Sequence, residues 1–411
     1  MKKNDRKSIY YYLFDWANSP FSVVVITFVF SSYFANTIAS NKIIGTSLWG
    51  WSIAFSGIVI ALLCPYLGYV ADKKIGVSRK ILFSSTIIVI LLSFSLWFAE
   101  ANINLFLFLS IIILANVCFE IGQAFYNSQL INFKVGKKGY GKFSGKAWAS
   151  GYLGGIICLI LILVLILIPD KSLFKLNANE YENVRICGPI VGLWFLIFSW
   201  PFLINCKEKN SNHKNVCLSS DFKESFKLIL NDKNKLYFFL SRMLYTDGLI
   251  TLFSFGGIYA TGTFNFNFND IIIFGIIINF TAAIGAYFFG FLEDIIGIKK
   301  IIIISLIFLI LICLLILIIE NKLYFWILGS LIGLFIGSIQ SSSRTALIKI
   351  SDQNNMNYYF GLYATSGKIT NFLGPFLVAT FTTIFASQKA GMATILIFLL
   401  LGLMLFSKVK L

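Results

Sequence analysis

Three carboxylates, Asp15, Glu120 and Asp247, stand inside long apolar runs of this 411-residue chain. A charged side chain at the centre of a bilayer costs about 2.5 kcal/mol or more, so such acids are paired or functional. Asp247 lies about 16 Å into its run at 1.5 Å per residue, close to the midpoint. It could bind a proton, a cation or a substrate amine, or it could pair with Arg242 or Lys368 and orient helices. Glu120 shares one helical face with Asn116, Gln123 and Asn127, at i, i+4, i+7 and i+11. It could carry a proton, or tie Lys146 to the start of the next run. Asp15 lies only about 7–8 Å into the first run. With Asn18 and Pro20 behind it, Asp15 could cap an inner helix segment while Pro20 breaks the outer one, or it could touch a substrate directly.

The cations and amides near these acids extend the candidate site. Lys146 and Lys368 could hold a substrate carboxylate or neutralise Glu120 and Asp247. Gln340 and Arg344 could bind an anionic group, because a guanidinium offers a fork of donors. Equally, Arg344 could mark the inner end of its segment. Asn18, Asn127 and Gln340 could read hydrogen-bonding groups or bond between helices. Gly333, Gly337, Gln340 and Arg344 repeat the spacing of the Glu120 face. Other chemistries lack their residues. One histidine, His213, and seven cysteines with no C-x-x-C pair predict neither a metal site nor a disulfide framework. No G-x-x-x-x-G-K-[ST], H-E-x-x-H or G-x-S-x-G occurs, so neither an enzyme nor a bound cofactor is expected. The many Phe and Tyr residues read as packing or lipid-facing groups.

What must position these residues follows from composition. The chain is 58% hydrophobic and only 13% charged, against about 25% charged in soluble domains. Its mean hydropathy is +0.82. A soluble enzyme and a disordered chain are both excluded, and a bilayer is the expected partner. The net charge of +16 does not point to nucleic acid, because the basic residues sit in short loops. Twelve apolar segments are long enough to span a membrane, near 10–38, 47–70, 81–99, 104–131, 146–168, 186–205, 236–262, 271–291, 301–319, 323–346, 358–386 and 390–407. The first resembles a signal peptide but carries Asp15 and Asn18, so it reads as an uncleaved span. Of 34 Lys and Arg, six fall on one side: Lys42, Lys171, Lys175, Arg185, Lys322 and Lys389. Lys146, Arg242 and Lys368 lie within spans, and the remaining 25 fall on the side of the termini. That bias predicts cytoplasmic termini.

The polar stretch 206–235 divides the chain into an N-terminal six-span half, 1–205, and a C-terminal one, 236–411. Its second part, 221–230, could form a short helix on the membrane surface. The halves echo each other. Gly68 and Asp72, followed by Gly76, Arg79 and Lys80, close span two. Gly290 and Asp294, followed by Gly297, Lys299 and Lys300, close span eight, 222 residues later. Ser144-Gly145-Lys146 and Ser366-Gly367-Lys368 are also 222 apart. The expected fold is an all-α polytopic membrane protein of twelve transmembrane helices in two pseudo-repeated six-helix bundles. Duplicated halves meeting at a central site are typical of secondary transporters. Spans one, four, seven and ten carry the polar groups, while six, nine and twelve are nearly bare and can face lipid.

The G-x-x-x-D-x-x-G-x-[RK]-[RK] loops after spans two and eight resemble the signature of the major facilitator superfamily; the first copy has one extra residue between Asp72 and Gly76. Asp15-Trp16-Ala17-Asn18-Ser19-Pro20-Phe21 resembles the D-W-A-N-S-x-F opening of the vacuole-effluxer, autophagy-related family and its bacterial relatives. Phe125-Tyr126-Asn127, Gly151 to Gly155, Tyr245 to Gly248, Gln340 to Arg344 and Gly374-Pro375 also fit that family, and the resemblance covers the whole chain. It implies that helices one, four, seven and ten line a cavity. It also favours reading Gly68, Asp72, Arg79, Gly290, Asp294 and Lys299 as gate parts that latch helix ends; the alternative is a plain anchoring turn. The implied function is ion- or proton-coupled movement of a small polar solute, an amino acid or related zwitterion. A monomer in a bacterial inner membrane is expected. The rival readings are a transporter-like sensor or assembly platform and, with only the intramembrane acids in its favour, a membrane-embedded enzyme.

Overall fold

The bilayer core offers no partner to a backbone N–H or C=O, so a chain this apolar must satisfy its backbone within each segment. The computed structural model describes residues 3–133, 139–167, 176–205 and 222–411. Among these there are helices and no strand. His213, Cys206, Cys217, Lys171, Lys175 and the first part of the polar stretch, 206–221, lie outside the described residues.

Helix α1 (Lys3–Pro20) continues through π-helical turns at Phe21–Phe28, α2 (Val29–Tyr33) and further π-helical turns at Phe34–Ile38. Next come α3 (Lys42–Lys73), α4 (Val77–Ser95), α5 (Leu105–Ser128), α6 (Tyr140–Ile162), the short α7 (Glu182–Arg185) and α8 (Cys187–Asn205). The later elements are α9 (Phe222–Asn231), α10 (Lys233–Phe264), α11 (Phe268–Ile296), α12 (Ile298–Ile318), α13 (Lys322–Ile350), α14 (Met356–Ser366), α15 (Leu373–Phe385) and α16 (Gln388–Ser407). Ten helical stretches among the described residues are long and apolar enough to cross a membrane. They match ten of the twelve expected segments. The other two differ in kind. α10 has the length, 32 residues, but carries Arg242 and Asp247. The segment expected at 358–386 is two short helices, α14 and α15, joined by the turn at 367–372.

The expected break at Pro20, with Asp15 as a cap, is not found. Asp15 lies inside α1 and is buried. Pro20 has no N–H to give to the carbonyl four residues back, that of Trp16. The indole Nε1–H of Trp194 donates to that carbonyl instead, at 3.2 Å. The chain stays helical and widens into π turns, a form that concentrates at functional sites.

The described residues gather into two compact units. Unit 1 takes those within 1–60, 76–126 and 150–209; unit 2 takes those within 61–75, 127–149 and 210–411. In unit 1, α1 and α4 both pack on α8. The Tyr126 ring stacks on Tyr11 at 4.2 Å and on Phe14 at 4.6 Å, and its hydroxyl donates to the Tyr11 carbonyl. Spans six, nine and twelve, expected to meet lipid, each leave an apolar stripe uncovered: Leu193, Ile197, Trp200 and Ile204 on α8; Ile307, Leu311, Leu314 and Ile318 on α12; and Ile397, Leu400 and Met404 on α16. They are not alone, since α3 leaves Trp51, Phe55, Ile58 and Leu62 uncovered and α11 leaves Phe280, Ile284, Tyr287 and Phe291, at the same three- and four-residue spacing.

In unit 2, α11 and α13 pack along a seam of small residues. A methyl added at Gly333 or Gly337 would run into the carbonyl of Ile278 or Ala282 on α11. The two glycines read from sequence as part of a polar face therefore let backbones approach, as in small-xxx-small helix pairs. α10 begins with Asp232 as its N-cap, accepting from the Asn234 and Lys235 amides. Partial burial pushes its carboxyl up, but the bonds from Lys235, whose Nζ lies 3.0 Å away, hold it below the usual range.

The seam makes a measurable claim. Gly333→Val and Gly337→Val should each destabilise the purified protein by about 1–3 kcal/mol, read as a lowered melting temperature. Gly50→Ala, where an added methyl meets nothing, should not lower it.

Candidate functional site

The break in the eleventh segment exposes two helix ends inside unit 2. The last turn of α14 presents carbonyls that have no helical donor. Arg242 of α10 supplies one: its Nη1 donates to the Tyr363 carbonyl at 2.6 Å and to Ser366 Oγ at 2.7 Å. Its guanidinium carbon lies 3.3 Å from the centre of the Tyr363 ring. A cation suits a helix C-terminus. The first turn of α15 starts at Leu373, with Pro375 inside it, where a missing N–H costs nothing. Asp247 of α10 faces this turn and is buried. The Gly374 amide points at its carboxyl without reaching ordinary hydrogen-bond geometry, and neither carboxyl oxygen has a hydrogen-bond partner. α10 thus offers a cation to one end of the broken helix and an acid to the other. The expected Asp247–Arg242 pair is absent, because Arg242 is turned to α14. No ion pair joins Asp247 to Lys368 among the described residues either.

The two G-x-x-x-D loops of unit 2 do the same to other helix ends. Asp72 Oδ1 accepts from the Asn357 amide at 3.2 Å and from Asn357 Nδ2 at 2.7 Å, while Oδ2 accepts from the Tyr358 amide at 2.7 Å. Asn357 and Tyr358 are the second and third residues of α14, so Asp72 caps that helix from outside its own chain segment. Asp294 caps α6 alike, accepting from the Gly141 amide at 3.1 Å and the Lys142 amide at 3.0 Å. Gly68 and Gly290 stand where a side chain would strike the Asn357 and Gly141 carbonyls. The turns then need the left-handed region: Gly76 has φ +81° and Gly297 φ +97°. In unit 1, Arg79 Nη2 donates to the Ile204 carbonyl at the end of α8, 3.2 Å away. In unit 2, Lys299 Nζ donates to the Ser407 and Val409 carbonyls at the end of α16, at 2.6 and 2.7 Å.

These caps correct one part of the repeat. Gly145 abuts the carbonyl of Ala286, and Gly361 abuts that of Cys64. Ala286 and Cys64 each stand four residues before the loop glycine, Gly290 or Gly68. The partner of Gly145 is therefore Gly361, not Gly367, and the place of Lys146 is taken by Leu362. The capped amides agree, since Gly141 and Lys142 answer to Asn357 and Tyr358. The second Ser-Gly-Lys is not a repeat mate; it lies at the broken end of α14.

Residues 136–411 match the family described as vacuole effluxer Atg22 like. The chain belongs to this vacuole effluxer family. Over 99% of its length, and 95% of the relative's, it is 23% identical to an uncharacterized MFS-type transporter, YxiO, of Bacillus subtilis (strain 168). It is 24% identical to a protein of Aquifex aeolicus (strain VF5) across 92% of this chain and 90% of that one. The MFS transporter FucP, solved in the outward conformation, superposes with a TM-score of 0.80 at 14% identity, covering 100% of this chain and 99% of FucP. The fold is that of the major facilitator superfamily, and family and fold together mark a membrane transporter.

The opening motif, Asp15 to Phe21, is held inside unit 1. Trp16 stacks on Trp194 at 5.8 Å, and Gly154 seats against the Trp16 backbone. Asn18 Nδ2 donates to Gln123 Oε1 at 2.8 Å, and Ser19 Oγ donates to the Asp15 carbonyl at 2.9 Å. Asn18 and Gln123 line a small cavity with Phe14, Thr86, Cys118 and Phe195, with room for about one water. The polar face of α5 is largely spent on bonds between helices. Asn116 donates to Ser56 Oγ at 2.7 Å, and Asn127 Oδ1 accepts from Arg344 Nη1 at 2.8 Å. Arg344, 1% exposed, also donates to Ser144 Oγ and to the Ser144 carbonyl, both at 3.0 Å. Glu120, Lys146, Gln340 and Lys368 are half-buried, and Lys368 lies in the turn between α14 and α15.

Sequence reasoning passed over Asn357 and Gly361, which bond or abut motif residues but carry no motif themselves, and it gave Ser144 a place in the repeat but no bonding role. It also gave no role to Glu293, although this acid stands beside Asp294 in a stretch otherwise apolar. Asp72→Ala and Asp294→Ala should each lower stability by about 0.5–2 kcal/mol, the cost of a lost N-cap, in melts of the purified protein. Substitution of exposed Glu320 by Ala should not.

Proposed function

We propose that this chain is a secondary active transporter that moves a small polar zwitterion, an amino acid in the first instance, by alternating access coupled to a proton or cation. The observation that carries this reading is Asp247, a buried carboxyl with two unpartnered oxygens at the mouth of a broken helix. Discontinuous helices put their freed ends at substrate and ion sites in transporters, and an intramembrane acid is functional by default. Lys368, in the turn between α14 and α15, is the candidate to meet a carboxylate while Asp247 meets an amine. Glu120, Asn18 and Gln123 are the further candidates for coupling or substrate contact.

The orientation reading puts the loops at Asp72 and Asp294 on the cytoplasmic side, with both termini. α10 and the pair α14–α15 then complete twelve spans in two six-helix bundles. On that reading the caps on α14 and α6, with Arg344 bound to Asn127 and Ser144, act as a closed cytoplasmic gate. FucP and a bacterial homologue of the iron transporter ferroportin, similar to this chain with TM-scores of 0.80 and 0.74, were both solved facing outward. We read the chain as a monomer in a bacterial inner membrane, in keeping with its relatives in Bacillus subtilis and Aquifex aeolicus.

The test is thermal stabilisation of the purified protein by amino acids, organic osmolytes, sugars and organic acids at two pH values. An amino acid or related zwitterion should raise the melting temperature, and Asp247→Asn should weaken its apparent affinity roughly 10- to 100-fold, the worth of one charge-assisted contact. A solute that stabilises Asp247→Asn as well as the unsubstituted protein sinks this site.

A further inference from the structure

Glu293 takes part in neither the cap made by Asp294 nor the broken-helix site, yet it is 3% exposed. Its Oε2 lies 2.5 Å from Ser342 Oγ, and its Oε1 lies 2.6 Å from Thr345 Oγ1. Thr345 Oγ1 in turn lies 2.9 Å from the Ser342 carbonyl oxygen. Each of these three short oxygen–oxygen contacts needs one hydrogen between its atoms. The Ser342 and Thr345 hydroxyls bring two hydrogens; a carbonyl and an ionised carboxylate bring none. With Glu293 ionised, one contact would set lone pair against lone pair. A proton on Oε1 completes the set. Glu293 then donates to Thr345, Thr345 donates to the Ser342 carbonyl, and Ser342 donates to Oε2.

The charges around Glu293 agree with this count. Asp294, the next residue, opposes a second negative charge. Lys349 on α13 is exposed and makes no ion pair with Glu293. Lys142 on α6 is exposed, with its ammonium 5.4 Å from the centre of the Phe291 ring. Arg344 on α13 is bound to Ser144 and Asn127. Gly141, at the start of α6, sits directly over the Glu293 β-carbon, so the helix that Asp294 caps also closes Glu293 off from water. A buried carboxyl with no cation is far cheaper neutral than charged.

We propose that Glu293 is a proton-binding site at the end of α11, occupied while Asp294 caps α6. The site stands on the hydrogen-bond count alone; its consequence rests on the transporter reading. Withdrawal of α6 from Asp294 admits water to Glu293, the proton leaves to that water, and the gate becomes linked to pH.

Infrared difference spectroscopy of the purified full-length protein reads protonated carboxyls by their carbonyl stretch. Near neutral pH the unsubstituted protein should show a carboxylic-acid band that Glu293→Gln removes. The amide can donate to Thr345 and accept from Ser342, so this variant should keep its melting temperature at neutral pH. The folded unsubstituted protein binds a proton that the unfolded chain has released above the ordinary carboxyl range, so its stability should fall as pH rises. Glu293→Gln should lack that component of the fall. Identical carboxyl bands in the two proteins overturn the proposal, whatever transport does. A lost band in a protein that moves no solute supports the proton site and counts against the transporter reading. If Glu293→Gln does not fold, Thr345→Val replaces it. Removing this hydroxyl, which can also donate to the ionised carboxylate, should shift the pH at which the band disappears, and an unchanged titration overturns the proposal.

Discussion

A helix end cannot be left bare in an apolar solvent. Each terminus carries up to four backbone groups without a helical partner, and the end dipoles favour an acid at the N-terminus and a base at the C-terminus. Five of the eleven charged side chains that sequence reasoning marked as functional meet this constraint. Asp72 and Asp294 sit on N-termini; Arg79, Arg242 and Lys299 sit on C-terminal carbonyls. In four of these five cases the capped end belongs to a helix with one end near a loop. In the fifth, Arg242 at α14, the end lies within a segment expected to span. A terminus there has to be made by breaking a helix, and the acid five residues further along α10, Asp247, is left beside the opposite end with its oxygens unpartnered.

This explains why the same residues read two ways from sequence. A cap and a binding site need the same thing, a charge at a helix end. What separates them is whether the hydrogen bonds close. Arg344 has all three guanidinium nitrogens engaged by Ser144 and Asn127, and Asp72 has both oxygens engaged by Asn357 and Tyr358. Asp247 does not close, and that difference carries the functional reading. It could not be seen without coordinates, because the donors that would satisfy it are backbone amides, which no residue type announces.

The positions of the long apolar helices were legible because about 20 apolar residues in a row have one solution in lipid. So were the loop motifs, whose glycines at positive φ and acids at fixed spacing each answer a backbone demand. Two things were not legible. The break between Ser366 and Leu373 falls inside a run with no proline until Pro375, and the group that bonds the end it leaves on α14 is an arginine on another helix. The register of the internal repeat also misled: Ser-Gly-Lys recurs at the spacing of the loops, but helix α14 starts six residues early relative to α6 once the capping acids are aligned. Short motifs recur by chance more easily than a set of close backbone contacts does.

The repeat is informative where it fails. Both copies of the loop keep the capping acid and the glycine four residues before it, so both caps obey one geometry. Yet the residue beside the acid is Ala71 in the first copy and Glu293 in the second. Burying a carboxyl where the other half manages with a methyl group adds a desolvation cost that capping does not require, since Asp72 caps α14 without such a neighbour. A cost carried by one half only is hard to assign to packing. On the proposed reading of Glu293 as a proton site, this asymmetry would let one of the two capped ends, and not the other, answer to the proton concentration around it.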